Sequence, residues 1–228
     1  VVLAIETSDI LCSIAFWRDG KTLLEYNLEL PMQHARLVGQ LVTEGLTLLS
    51  GVLDAQSVSV NDVRLVACAV GPGSFTGLRI GLSFAQGFCL AKGLPIVGVS
   101  NHQVLAAQAP VGEEVLFSAI EAQRDEVYVA RHRRLSDSLT EIAGHEVVAK
   151  NNLPEHLPSG SILITNQTLQ LEETLWRRLT AQDVRIYNKA GYQAHHLAQI
   201  GREKFNVSGA DDLQELEPMY VRSFAGVL

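Results

Sequence analysis

Two carboxylates close short apolar runs in this chain: Glu6, followed by Thr7 and Ser8, and Glu121, followed by Ala122, Gln123 and Arg124. A pair of acids brought across a cleft could hold a divalent metal carrying nucleotide phosphates. Between them lies a glycine-rich turn, Gly71, Gly73, Ser74, Thr76 and Gly77, which opens a long apolar run with Arg79 one turn in. Backbone N–H groups at a helix start bind anions, so this turn is a candidate phosphate cradle. Each feature also has a plainer reading. The acids suit turn-capping carboxylates, and the turn suits a tight structural one in which Ser74 or Thr76 caps the helix.

The specific fingerprints of phosphate loops fail. A Walker loop needs Lys and then Ser or Thr after its closing glycine, but Gly77 is followed by Leu78 and Arg79. A dinucleotide motif would place its third glycine at Thr76 and an acid about 20 residues on. From Val63 to Gly112 there is no Asp or Glu. Both acidic turns also lack the glycine that lets a phosphate approach the backbone. His34 has no partner at helical spacing, and the adjacent His195 and His196 are expected to point to different sides of a helix, so no metal site is expected. No GxSxG occurs, and Cys12, Cys68 and Cys89 lie in apolar runs without a CxxC pair, as buried thiols of a reducing cytosol do.

The elements that must position these residues read as follows. Val2–Ile5, Cys12–Trp17 and Thr22–Leu30 form a predicted antiparallel meander. His34–Leu53 is a helix with Leu37, Leu41, Leu48 and Val52 on one stripe and Val38, Val42, Leu46 and Leu49 beside it. Leu65–Val70, the glycine-led helix and Pro95–Val99 make a strand, helix, strand unit suited to parallel pairing. A helix over Asn101–Ala109 leads to Pro110-Val111-Gly112, where the lobe boundary is placed, giving lobes 1–110 and 111–228. The second half reads strand (Val115–Ile120), strand (Val127–His132), a less readable stretch around Leu139 to Leu157, then strands Ser161–Thr165 and Val184–Tyr187 around a helix over Leu169–Leu179. A final helix over Gly191–Phe205, able to pack back on the first lobe, precedes an extended Glu217–Arg222. Ala4-Ile5-Glu6 and the strand ending at Ala15 line up, at constant offset, with Ala119-Ile120-Glu121 and the strand ending at Ala130. This echo predicts two similar α/β lobes facing each other across a cleft.

The helix after the glycine turn carries Gly77, Gly81, Ala85 and Cys89 every fourth residue, a ridge of small side chains that would let another helix approach. Ile80, Phe84 and Phe88 form a second ridge, and Leu78 and Leu82 a third. No residue between Arg79 and Lys92 is charged. Such a helix either lies at the centre of a fold or is shared between two molecules. One face on the lobe's own sheet and another on a partner is the favoured reading; complete burial is the alternative.

Of the 228 residues, 47% are hydrophobic and 19% charged, as in a folded globular protein, and the formal net charge of −7 argues against non-specific nucleic-acid binding. The run VVLAI, interrupted by Glu6, is too short for a signal peptide, and no apolar run reaches the roughly 20 residues that span a bilayer. A cytoplasmic protein with no membrane partner is expected.

The run GPGSFTGLRIG with its helix and GLPIVGVS, the opening AIETS, the segment MQHARLV, the hairpin AIEAQRDEVYVA and the closing EPMYVR resemble the TsaB (YeaZ) family of bacteria. The resemblance implies an α/β fold of two RNase H-like lobes, of the actin-like ATPase, Hsp70 and sugar-kinase superfamily. It further implies work on N6-threonylcarbamoyladenosine at position 37 of tRNAs that read codons beginning with A. In that family's pathway the paralogue TsaD transfers the threonylcarbamoyl group from its adenylate and holds the metal. TsaB pairs with TsaD, the ATPase TsaE joins them, and TsaB forms a homodimer when alone. The resemblance therefore implies a non-catalytic scaffold with no intrinsic metal or cofactor, ATP or ADP only at a joint site with partners, and tRNA reached only through the complex. The paralogue's HxxxH is here His34 with Val38. The family usually shows Asp where this chain has Glu6 and Glu121, and Gly where it has Asp125. The interface residues the resemblance carries over are Leu37, Leu41, Arg79, Leu82, Phe84 and Phe88. The competing class is an Mg-ATP-dependent kinase or ATPase using Glu6 and Glu121.

Overall fold

A computed structural model of the chain describes residues 1–30, 32–51, 57–110, 115–135, 138–189 and 191–219. In chain order the elements are β1 (Val2–Glu6), β2 (Leu11–Arg18), β3 (Lys21–Glu29), α1 (His34–Ser50), β4 (Leu65–Gly71), α2 (Phe75–Lys92), β5 (Ile96–Ser100) and α3 (Asn101–Ala107). There follow β6 (Val115–Glu121), β7 (Glu126–Leu135), β8 (Ser138–Ala149), α4 (Leu153–His156), β9 (Ile162–Asn166), α5 (Glu173–Ala181), β10 (Arg185–Lys189) and α6 (Ala194–Ser208). The chain divides into two compact units, one of residues 1–101 with 192–219, the other of residues 102–191. The division after Asn101 falls nine residues before the 110/111 boundary expected from Pro110 and Gly112, because α3 groups with the second unit.

The first unit is a five-stranded sheet in the order β3-β2-β1-β4-β5. β1, β2 and β3 run antiparallel as a meander, and β1, β4 and β5 run parallel. All seven residues of β4 are buried, as a parallel strand covered on both faces requires. On one face Leu3, Ile5, Ile14, Phe16 and Val66 pack with Leu37, Leu41 and Val42 of α1 and Leu82 and Ala85 of α2. α6 crosses the other face against β1, β2, β4 and β5, with Leu197, Ala198 and Gly201 buried. Leu48, expected on the buried stripe of α1, is 56% exposed, because the inward face continues through Gly45 and Leu49 instead. Val52 and Leu53 lie outside the described residues.

The second unit repeats the same path, β8-β7-β6-β9-β10. β6, β7 and β8 are antiparallel, and β6, β9 and β10 parallel. The two units are thus alike, as the echo implied, and RNase H-like, as the resemblance implied, but the echo slips inside its second strand. Glu6 pairs with Ser13 whereas Glu121 pairs with Val127, one residue sooner, so Ala15 faces Ala4 while Ala130 faces Ser118. The core on one side of this sheet joins Phe117, Ala119, Val127 and Val129 to Leu153, Leu157, Leu175 and Leu179. β8 runs through the stretch that had no readable pattern. Of the segment expected to be extended, residues 217–219 belong to no strand and the Met219 N–H donates to the Val70 carbonyl, and residues 220–222 lie outside the described residues.

Candidate functional site

The acidic turn after β1 and the glycine turn after β4 are adjacent because their strands pair in parallel. They pack without a gap. Glu6 is fully buried, and its Oε1 accepts from the Ser8 N–H at 2.5 Å and from the Ser8 hydroxyl at 2.6 Å. Its Oε2 has no protein partner among the described residues. Burial pushes the Glu6 carboxyl up, the charge of Asp9 adds to this, and the two Ser8 hydrogen bonds oppose it; the net position is about 8. Asn101 Nδ2 donates to the Ser8 hydroxyl at 2.6 Å and to the Pro72 carbonyl at 2.8 Å, fastening both turns to the start of α3. The Ser74 N–H donates to the Ser8 carbonyl at 2.7 Å.

Two glycines of α2, Gly77 and Gly81, serve this contact. A Cβ on Gly77 would run into the Thr7 carbonyl oxygen, and one on Gly81 into the Thr7 hydroxyl. The small-residue ridge was expected to admit another helix; its first half faces the acidic turn of its own sheet, and Ala85 and Cys89 continue it into the core of the first unit. Four-residue spacing reports that a neighbour is close, not what the neighbour is. Ser74 caps α2 by accepting from the Gly77 N–H at 3.2 Å, and Thr76 is exposed and does not act as the cap.

A phosphate-bound divalent ion does not fit these residues. The turn's Ser74 and Gly77 N–H groups are engaged inside the chain, Glu6 is fully buried with Oε1 taken by Ser8 and its neutral form favoured by burial, and the faces of Gly73 and Gly77 that would let a phosphate approach are covered by Ser8 and Thr7. Glu121, at the equivalent end of β6, forms an ion pair with Lys150 at 2.6 Å. Among the described residues no group of three or more His, Cys, Asp and Glu could hold a metal ion.

His34, His102 and His132 are buried. His34 is buried at the start of α1. His195 and His196, expected on opposite sides, have ring centroids 4.0 Å apart, since they occupy the first turn of α6, where Glu25 accepts from both the backbone and the ring of His195. A second buried set gave no signal in the sequence: the Ser118 hydroxyl lies 2.7 Å from His102 Nδ1 and 2.9 Å from His132 Nε2, with His145 stacked on His102 at 6.0 Å. Alternation along β6 and β7 puts Ser118 and His132 on one face, but only the docking of α3 shows that they share it with His102.

The six residues expected at a subunit contact divide in two. Leu37, Leu41 and Leu82 are buried in the core of the first unit and are withdrawn from any outer surface. Arg79 is exposed, its guanidinium 3.8 Å from the centroid of the Phe75 ring. Phe84 and Phe88 are half-buried and stacked, centroids 6.2 Å apart. With exposed Ser83 and Gly87 between Arg79 and Leu90, which is 76% exposed, they form an uncharged strip along α2. At one end a shallow cavity of about 410 Å³ is lined by Phe75, Thr76, Arg79, Ile80 and Ser83.

Residues 42–199 match the family described as TsaD, tRNA N6-adenosine threonylcarbamoyltransferase. The chain is 36% identical over 135 residues to the tRNA threonylcarbamoyladenosine biosynthesis protein TsaB of Escherichia coli, an alignment spanning 58% of this chain and 55% of that protein. It is 26% identical to the protein of the same name from Haemophilus influenzae, across 97% of this chain and 93% of that one. The solved structure described as YeaZ from Pseudomonas aeruginosa superposes with a TM-score of 0.77 at 22% identity, covering 96% of this chain and 99% of that chain, a likeness of fold. No helix among the described residues is long and apolar enough to cross a membrane.

Proposed function

Because the chain belongs to the TsaD family of tRNA N6-adenosine threonylcarbamoyltransferases, and within it to the TsaB (YeaZ) group, we propose that it takes part in N6-threonylcarbamoyladenosine formation on tRNA as a non-catalytic subunit. Its partner in this reading is a TsaD paralogue that performs the transfer, with the ATPase TsaE joining them, nucleotide held only at a joint site, and tRNA met through the complex. The observation that carries the reading is the outer strip of α2. An amphipathic helix on a monomer's surface turns charged side chains outward; this one turns out Ser83, Gly87 and Leu90, beside Phe84 and Phe88, with Arg79 at one end. Such an uncharged patch suits a closely packed subunit contact, and the same strip serves a homodimer when the partner is absent. The filled glycine turn supports the non-catalytic part.

The test is the mass in solution of the chain alone, with the paralogue, and with both partners, followed by tRNA modification. Association with the paralogue and modification only in the mixture are expected, with the isolated chain inactive. Mg-ATP turnover by the isolated chain that Glu6→Gln abolished would replace this reading by a kinase or ATPase.

A further inference from the structure

Among the described residues the two sheets end in four edge strands, β3, β8, β10 and β5. An open edge carries unpaired N–H and C=O groups that accept another strand, and proteins blunt it with charged side chains, proline or a covering segment. β3 contains Lys21, Glu25 and Glu29; β8 contains Glu141 and Glu146; β10 contains Arg185 and Lys189. β5, Ile-Val-Gly-Val-Ser, has no charge, no proline and three β-branched aliphatic residues. This is the composition of a self-pairing segment.

The backbone of β5 shows what replaces the missing charges. Alternate residues point their hydrogen-bonding groups toward β4, and Ile96 and Gly98 point theirs away from it. The Ile96 carbonyl accepts from the Asp211 N–H at 2.9 Å. The Gly98 N–H donates to Asp211 Oδ2 at 2.7 Å, and the Gly98 carbonyl accepts from Lys204 Nζ at 3.0 Å. Lys204 and Asp211 are themselves paired at 2.6 Å. A single bridge residue and two side chains thus fill positions that a neighbouring strand would fill. The segment carrying Asp211 is fastened further on: Gln86 Nε2 of α2 donates to the Leu213 and Leu216 carbonyls at 2.9 and 3.0 Å, and both leucines pack against the core.

We propose that β5 is a strand-accepting edge which the chain keeps closed with Asp211 and Lys204, and that the partner excluded is β5 of a second copy. Antiparallel pairing about Gly98 would set Ile96 of one copy opposite Ser100 of the other, a two-fold contact in which identical uncharged strands meet without a charge clash.

The experiment uses the full chain carrying Gly87→Arg, which blocks association through α2, with and without Asp211→Ala and Lys204→Ala. Hydrogen exchange at the Gly98 amide and solution mass against concentration are read together. In the triply substituted chain Gly98 exchange rises by roughly tenfold or more, a larger species forms, and a synthetic peptide of residues 209–219 added in trans restores the smaller mass. A rise in exchange without a rise in mass overturns the proposal, as does a Gly98 amide that stays protected. Should that chain fail to fold, Lys204→Met in the Gly87→Arg background gives the same two readouts, and an unchanged mass there also overturns it. Loss of association with the paralogue bears on the α2 strip and leaves this outcome untouched.

Discussion

The Thr7 hydroxyl donates to the Gly77 carbonyl at 2.7 Å, so the turn after β1 is bonded into the first turn of α2 by a side chain that also occupies the space a Cβ on Gly81 would need. Gly81→Ala is expected to destabilise the first unit by about 1–3 kcal/mol through overpacking. Thr7→Ala removes the obstructing hydroxyl and should recover part of that loss in a double-mutant cycle. Gly77→Ala meets the backbone oxygen of Thr7, so Thr7→Ala should not rescue it. Urea unfolding of the four variants checks both statements.

Stability should fall as pH rises through the range set by Glu6. Its folded carboxyl sits at about 8 against an ordinary 4.5, chiefly from burial, so the folded chain keeps a proton that the unfolded chain releases. The contribution is fully present below about pH 4.5 and lost as pH rises toward 8, with a slope of at most about 1.4 kcal/mol per pH unit. Glu6→Gln should flatten that slope in denaturant midpoints measured from about pH 5 to about pH 9.

The histidine cluster acts in the opposite sense. Burial holds His132 at about 4 and His102 well below its usual value, with the neighbouring His132 and His145 adding to the effect on His102. These neutral rings contribute stability above about pH 6.5 that is lost as pH falls through about 4. Glu141, opposite His132 in the β7–β8 register, is itself raised by burial and slopes the other way. Trp176 fluorescence in a Trp17→Phe background should report an acid transition of the second unit, weakened by His132→Gln. Ser118→Ala, which removes the hydroxyl between the two rings, should destabilise this unit by about 1–3 kcal/mol at neutral pH.

Gly87 separates fold from contact on α2. A Cβ there meets nothing within 4 Å, so Gly87→Ala should stabilise the helix by up to about 1 kcal/mol. Gly87→Arg should leave circular dichroism and thermal midpoint near those of the parent while abolishing association with the paralogue, measured by light scattering. Phe84→Asp should do the same at some loss of stability, since that ring is half-buried.

The parts of this fold that could be read from residues are those whose cause is local. Ser74 and Thr76 ahead of an apolar run marked the start of α2, with Ser74 the cap in the structure, and the continuous apolar run ending at Val70 marked a strand suited to parallel pairing. What stayed hidden depends on distant neighbours. β8 has Gly144 in its middle and pairs with β7 through two register shifts, which break the alternation that identifies a strand. α6 starts at Ala194 because Glu25, on β3, receives the His195 N–H. Leu37, Leu41 and Leu82 had the periodicity of a contact surface, but periodicity cannot distinguish a partner's helix from the chain's own sheet.

The first unit is discontinuous, and this sets an order of synthesis. When the ribosome has added Gly191, every strand of the second unit's sheet has been made, while the residues of α6, which covers β1, β2, β4 and β5, and of the Asp211 segment on β5 have not. The part made first is finished last: between the synthesis of Ser100 and that of Lys204 and Asp211, a nascent chain has not yet made the side chains that close the uncharged edge of β5.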